Sequence, residues 1–230
     1  MEYVQSADFW IGLLKIVWIN IILSGDNAVV IAMAARSLPP HQQRNAVLLG
    51  SGAAVVLRII LTVVAAKLLA LPYLQIVGGA LLLWIGTQLL SEEEDGEDGE
   101  EKAYGSMLAA VRTILLADLI MSLDNVIAVA AAAKGSMALL VLGLAISIPL
   151  VIFGSTLMIK LMERFPIIVI LGAALIGWVG GETIMSDTIL VDVLAASPWL
   201  HYAGAAVGAA FVVAVGRWLQ SRANAKQLAA

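Results

Sequence analysis

Two stretches decide how this chain is read: Asn20-Ile21-Ile22-Leu23-Ser24-Gly25-Asp26-Asn27 and Asp118-Leu119-Ile120-Met121-Ser122-Leu123-Asp124-Asn125. They repeat at a constant offset of 98 residues, which takes Ser24 to Ser122, Asp26 to Asp124 and Asn27 to Asn125. Both lie within long apolar segments. A carboxylate in hydrocarbon is costly, so two at matched positions need a functional reason.

The surroundings supply the hydrocarbon. The chain has 230 residues, 61% of them hydrophobic and 13% charged, with a mean hydropathy of +0.98. A soluble domain of this size cannot hide so much apolar surface, so the expected class is an all-α membrane protein. The net charge of −4 misleads, because eight of the 17 acidic residues fall in one run, Ser91 to Lys102. The rest is mildly basic, which argues against nucleic acid as a partner. No cysteine is present, which excludes a disulfide framework and a thiolate metal site. The acidic start, Met1 to Asp8, lacks the basic region of a cleaved signal peptide.

A span needs about 20 mostly apolar residues. Seven segments qualify: Phe9–Ala35, Asn45–Ala70, Tyr73–Leu90, Ser106–Ala133, Met137–Leu161, Pro166–Ile184 and Trp199–Leu219. Leu38-Pro39-Pro40, Leu71-Pro72, the acidic run, Lys134-Gly135-Ser136, Phe165-Pro166 and Ser197-Pro198 separate them. Ser186–Ala196 is too short and too charged to span, and is expected at the interface. An N-terminus outside places Arg36, Arg44, Lys102, Lys160, Arg164, Arg217, Arg222 and Lys226 in the cytoplasm, leaving Lys67 and Lys134 near the opposite loops.

The repeat extends past the motif. Asp26–Arg36 runs parallel to Asp124–Lys134 without a gap, and Pro72, Trp84 and Gly86 match Pro166, Trp178 and Gly180 at an offset of 94. Each unit holds three spans, an odd number, so the units are expected in opposite orientations. The organisation read from sequence is one transmembrane domain over residues 1–230: repeat one at 9–90, an acidic cytoplasmic linker at 91–104, repeat two at 105–185, and a C-terminal helix at 199–220.

At 100° per residue, Asn20, Ser24 and Asn27 share a helix face, as do Asp118, Ser122 and Asn125. Asp26 and Asp124 point away from it. Either the helix unwinds at Ser24-Gly25-Asp26-Asn27, or the aspartates look toward another helix; Leu123 in place of Gly25 weakens the first option in the second copy. The donors are all oxygens, from Asp26, Asp118, Asp124, Asn20, Asn27, Asn125, Ser24 and Ser122. Such hard ligands suit Mg²⁺, Ca²⁺ or Mn²⁺. His41 and His201 read as membrane-edge residues, Met33 and Met121 as packing fillers, and Lys15 and Arg112 as snorkelling side chains. Three carboxylates about one divalent ion leave excess negative charge, so a proton or a counter-cation is expected. Arg58, near the middle of the second span, is expected to pair with one of the aspartates. Asp118 stands where the first copy has Asn20, which makes it the candidate for proton exchange. Glu182, matching Gln88, reads as a supporting acid or an interfacial residue.

The paired Ser24-Gly25-Asp26-Asn27 and Ser122-Leu123-Asp124-Asn125 signatures, each in a spanning segment, resemble the TerC family of bacterial integral membrane proteins, in its short YjbE/YkoY-like branch. The resemblance covers nearly the whole chain. It implies membership of the lysine-exporter-like superfamily, a multi-pass protein of the bacterial inner membrane, and manganese export with metal binding by Asp26 and Asp124. Asn20, Asn27, Asp118 and Asn125 are then their neighbours. The residues permit manganese; the family supplies the preference. No enzyme activity, catalytic residue or resident cofactor is expected, the metal being cargo, and the partners are lipid, the ion and a second copy of the chain. Two other readings stand beside manganese efflux: export of calcium, and supply of metal to secreted proteins. An intramembrane aspartyl protease fits poorly, because Leu-Ser-Gly-Asp at Asp26 and Met-Ser-Leu-Asp at Asp124 lack the G-x-G-D context such enzymes use.

Overall fold

Proline marks most of the helix boundaries. The computed structural model describes residues 7–22, 25–68, 71–91, 100–133 and 136–227, with only the backbone described for some helical residues, Asn20 and Asp124 among them. Among the described residues all regular structure is helical: α1 (Ala7–Ile22), α2 (Gly25–Arg36), α3 (Pro40–Leu68), α4 (Leu74–Ser91), α5 (Glu100–Ala133), α6 (Met137–Arg164), α7 (Ile167–Met185), α8 (Val191–Ala196) and α9 (Trp199–Gln227). A 3₁₀ turn, Thr188–Leu190, precedes α8. Pro40 opens α3, where a missing N–H costs no helical bond, and that helix starts five residues before the expected Asn45. The Ser136 hydroxyl caps α6 by accepting the Leu139 N–H at 3.3 Å.

Five described helices are long and apolar enough to cross a membrane, at Pro40–Thr62, Leu74–Ser91, Ala138–Arg164, Ile167–Met185 and Trp199–Arg222, and Phe9–Ile19 is a shorter apolar segment. The first expected span, Phe9–Ala35, is described as two helices, α1 and α2, with Leu23 and Ser24 outside the described residues. The second motif lies within one uninterrupted helix, α5. That helix begins at Glu100 and so takes in the last residues of the expected linker. Large apolar side chains cover the outside, and all six tryptophans are exposed, from 37% at Trp178 to 65% at Trp199. So large an apolar exterior suits lipid.

The helices pack by exchange between the two halves. α3 rests on α5, whereas α6 rests on α1 and α2. In α3, a Cβ at Gly50 would lie 2.8 Å from Ile114 of α5; in α6, a Cβ at Gly143 would overlap Ile16 of α1. Ile16 and Ile114 are related by the motif's 98-residue offset, so the two contacts are counterparts. α4 meets α7 in the same manner. A Cβ at Gly86 would stand 3.1 Å from Ile176 Cγ2, and one at Gly180 3.2 Å from Leu82 Cβ. The 94-residue shift carries Gly86 to Gly180 and Leu82 to Ile176.

α9 lies against α7 and α4. Gly177 and Gly181 of α7 meet Gly208 and Gly204 of α9 backbone to backbone; a Cβ at Gly177 would sit 2.5 Å from the Gly208 carbonyl oxygen. Two small-x-x-x-small stripes thus interlock, the packing helices use in lipid, where no hydrophobic drive joins them.

Candidate functional site

Among the described residues, the most buried charges in the motif region form an ion pair. The guanidinium of Arg58, from α3, donates through Nη2 to Asp118 Oδ1 on α5 at 2.6 Å and through Nε to Ser122 Oγ at 2.9 Å. The Ser122 hydroxyl donates in turn to Asp118 Oδ2 at 3.2 Å. Asp118 and Ser122, one helical turn apart, therefore present a single surface to Arg58. Arg58 is 5% exposed, Asp118 7% and Ser122 0%. At such burial each charge depends on its partner, because neither can be solvated by water.

Beside this pair lies a cavity of about 20 Å³ lined by Asn27 and Ile31 of α2, Ser51, Ala54, Val55 and Arg58 of α3, Asp118 of α5, and Ile148 and Val151 of α6. That volume admits one water-sized particle. The first motif enters it through Asn27, the second through Asp118. Asp26 lies in the first turn of α2, where its Oδ1 accepts the Asn27 N–H at 2.8 Å. A carboxylate there satisfies a donor that the helix start leaves open and complements the helix dipole. Asp26 also lies within electrostatic reach of Arg58 and Asp118.

The remaining candidates fall elsewhere or outside the description. Asn125 is half-buried on α5. Ser24 and the side chains of Asn20 and Asp124 lie outside the described residues. Glu182 and His201 pair at 3.2 Å between α7 and α9, both partly exposed, and neither lines the cavity. Met33 and Met121 are buried in the main hydrophobic cluster. No cluster of three His, Asp, Glu or Cys side chains close enough to hold a metal occurs among the described residues.

Two polar residues escaped the sequence reading. Ser51 lines the cavity and is 2% exposed. The signal was present: it precedes Arg58 by seven positions, two helical turns, on one face of an otherwise apolar segment. Asp187 belongs to the stretch expected at the interface, yet it is fully buried. Its Oδ1 accepts the N–H groups of Tyr73 (3.2 Å) and Ile189 (3.1 Å), and its Oδ2 those of Gln75 (3.1 Å) and Ile76 (3.2 Å). It caps the start of α4 from more than a hundred residues away, where Tyr73 holds a φ of 67°. Burial pushes its carboxyl up, but the four backbone donors outweigh that and hold it below the ordinary carboxylate value.

These features, an apolar helical bundle whose paired acidic motifs each send a residue to one small cavity, have matches among known proteins. The profile of the integral membrane protein TerC family matches residues 5–224. The uncharacterised membrane protein YjbE of Bacillus subtilis is 49% identical over 183 residues, covering 80% of this chain and 83% of YjbE. The UPF0053 inner membrane protein YoaE of Escherichia coli is 28% identical over 189 residues, which cover 74% of this chain but 36% of YoaE. A UPF0053 protein of Buchnera aphidicola is 31% identical over 145 residues, 55% of this chain and 28% of its own length. No solved structure matches the chain. With its helices, its motifs and its relatives in agreement, the chain belongs to the TerC family of integral membrane proteins.

Proposed function

We propose that this chain exports a divalent metal cation, with manganese the cargo that the family resemblance implies, across the bacterial inner membrane by alternating access. The observation that carries the reading is the Arg58–Asp118 ion pair beside a cavity, lined also by Asn27 and Ser51, where helices bearing both acidic motifs meet. Charge balance supports it. Asp26, Asp118 and Asp124 bring three negative charges, Arg58 neutralises one, and the remaining two match one divalent ion. The ligands are hard oxygens, from Asp26 and Asp124 with Asn20, Asn27, Asn125, Ser24 and Ser122 beside them. While the pair is closed, Asp118 is a counter-charge; proton exchange through it requires Arg58 to withdraw. Glu182 is a counter-charge at the membrane edge, shared with His201.

Two inverted units of three spans perform the motion, α1 and α2 counting together as one span, and α9 adds the seventh, with the N-terminus outside. The reciprocal contacts of Gly50 with Ile114 and Gly143 with Ile16 support a two-fold relation between units. An odd number of spans per unit then turns one upside down relative to the other. Because the glycine stripe of α9 is occupied by α7, the face carrying Trp199, Val207 and Trp218 is left for lipid or a second copy. The test is cell manganese content and growth in high manganese, with wild type compared to Asp26→Ala and Asp124→Ala. The reading requires manganese to accumulate in both variants, and it fails if both keep intracellular manganese as low as wild type does.

A further inference from the structure

Ser51 behaves unlike the other buried hydroxyls of these helices. A serine or threonine in an apolar helix ordinarily donates to the carbonyl three or four residues back, which removes the cost of burying it. Thr87 does so to Trp84 at 2.7 Å, Ser155 to Val151 at 2.6 Å and Thr183 to Val179 at 2.8 Å. Ser51 is as deeply buried, at 2% exposure, yet its Oγ has no hydrogen-bond partner in the protein. A buried polar atom without a partner is costly and calls for an explanation. Its position supplies one, since it lines the cavity shared with Asn27, Arg58 and Asp118.

The internal repeat sharpens the point. Gly50 and Gly143 make counterpart contacts, so the register between α3 and α6 takes Val55 to Ile148 and Arg58 to Val151. All four residues line the cavity, which therefore straddles the relation between the halves. In the same register Ser51 corresponds to Leu144, a fully buried core residue. The scaffold accepts an apolar side chain at this place. One half nonetheless carries a hydroxyl there and leaves it unbonded.

We propose that Ser51 is a direct oxygen ligand of the transported divalent cation, seated in this cavity with Asn27 and helping to set which metal is accepted. The inference rests on the proposed cation transport and adds α3 to the helices that bear ligands. A neutral hydroxyl suits the place, because once Arg58 has neutralised Asp118 the two charges of Asp26 and Asp124 already match one divalent ion. Ion binding would thus draw on α3, the helix that also carries the Arg58 latch.

The chain has no cysteine, so Ser51→Cys introduces a single thiol with little change in volume. A thiolate ligand favours soft metals. In proteoliposomes, Ser51→Cys is expected to shift the ratio of cadmium to manganese flux toward cadmium by about tenfold or more. Cadmium added to the purified variant should give a thiolate–cadmium charge-transfer absorption that wild type lacks. Ser51→Ala should raise the KM for manganese several-fold, and Ser51→Thr should restore it, a pattern that keeps the test intact if the cysteine variant folds poorly. A folded Ser51→Cys with the wild-type metal ratio and no new absorption overturns the inference, as does a Ser51→Ala with wild-type KM. In either case manganese flux by wild type leaves the transport reading standing. Absence of divalent-cation flux by wild type would remove both.

Discussion

Arg58 on α3 bonds Asp118 on α5 at 2.6 Å across the two halves of the chain, and nothing equivalent is encoded at the counterpart positions. The registers that align the repeats place Val151 where Arg58 would be and Asn20 where Asp118 would be. Of the two corresponding contacts between the halves, one therefore carries a charge pair and the other does not, and that asymmetry bears directly on the first prediction.

Removing one member of the pair leaves a buried charge alone. Arg58→Val or Asp118→Asn singly should cost about 3–5 kcal/mol, measured by denaturant unfolding in detergent micelles. The double variant copies the neutral Asn20/Val151 arrangement and should recover most of that stability while altering the coupling of proton and metal fluxes. A double variant as unstable as the sum of the singles would show that the pair is not one unit.

The glycine stripes divide into crowded and open sites. A Cβ at Gly208 would overlap the Gly177 carbonyl oxygen, whereas one at Gly52 meets nothing within 4 Å. Gly208→Ala should destabilise by about 1–3 kcal/mol through forced separation of α7 and α9. Gly52→Ala should be neutral or stabilising by up to about 1 kcal/mol, since alanine is the better helix former. Unfolding measurements of both variants check the contrast.

Asp187 gives a pH dependence with a fixed sign. Its folded value lies below the ordinary carboxylate value of about 3.9. Its stabilisation is therefore fully present above that value and is lost as the pH falls through the lower folded value. Thermal unfolding below about pH 4 should show this loss in wild type. Asp187→Asn should lower stability at neutral pH and flatten the acid limb. An unchanged acid limb in the variant would assign the loss to other carboxylates.

The two motif copies differ at Gly25 and Leu123. Gly25 is exposed and a Cβ there meets nothing within 4 Å, so Gly25→Leu enters open space at its first carbon, and its folding is checked before flux is read. By giving the first copy the residue found in the uninterrupted helix of the second, it should slow ion flux. Wild-type flux in a folded Gly25→Leu would exclude a role for this glycine in gating.

The residues made some of this legible in advance and withheld the rest, for physical reasons. A guanidinium stranded midway along an apolar helix must meet an acid, so the need of Arg58 could be read; that Asp118 meets it depends on α3 lying against α5. The aspartates announced themselves by their cost in hydrocarbon. Ser51 did not, because a serine usually satisfies itself on its own helix and leaves no trace in sequence. Asp187 looked like an interfacial charge, since three of its four backbone partners, Tyr73, Gln75 and Ile76, lie at the start of α4, far away in the chain. The glycines of α7 and α9 could be counted, but which helix each would face is settled by packing alone. Proline placement gave most helix ends to within a few residues; Pro40 opened α3 early, charged residues extended α5 to Glu100, and α9 runs on to Gln227, past the expected Leu219.

The central claim is that paired motif aspartates bind and move a divalent cation. Manganese flux into proteoliposomes, compared for wild type, Asp26→Asn and Asp124→Asn at matched protein incorporation, tests it most directly. The account predicts robust flux for wild type and, for each variant, flux reduced to the leak of protein-free vesicles. Wild-type rates in both variants, or no divalent-cation flux in wild type, would contradict it.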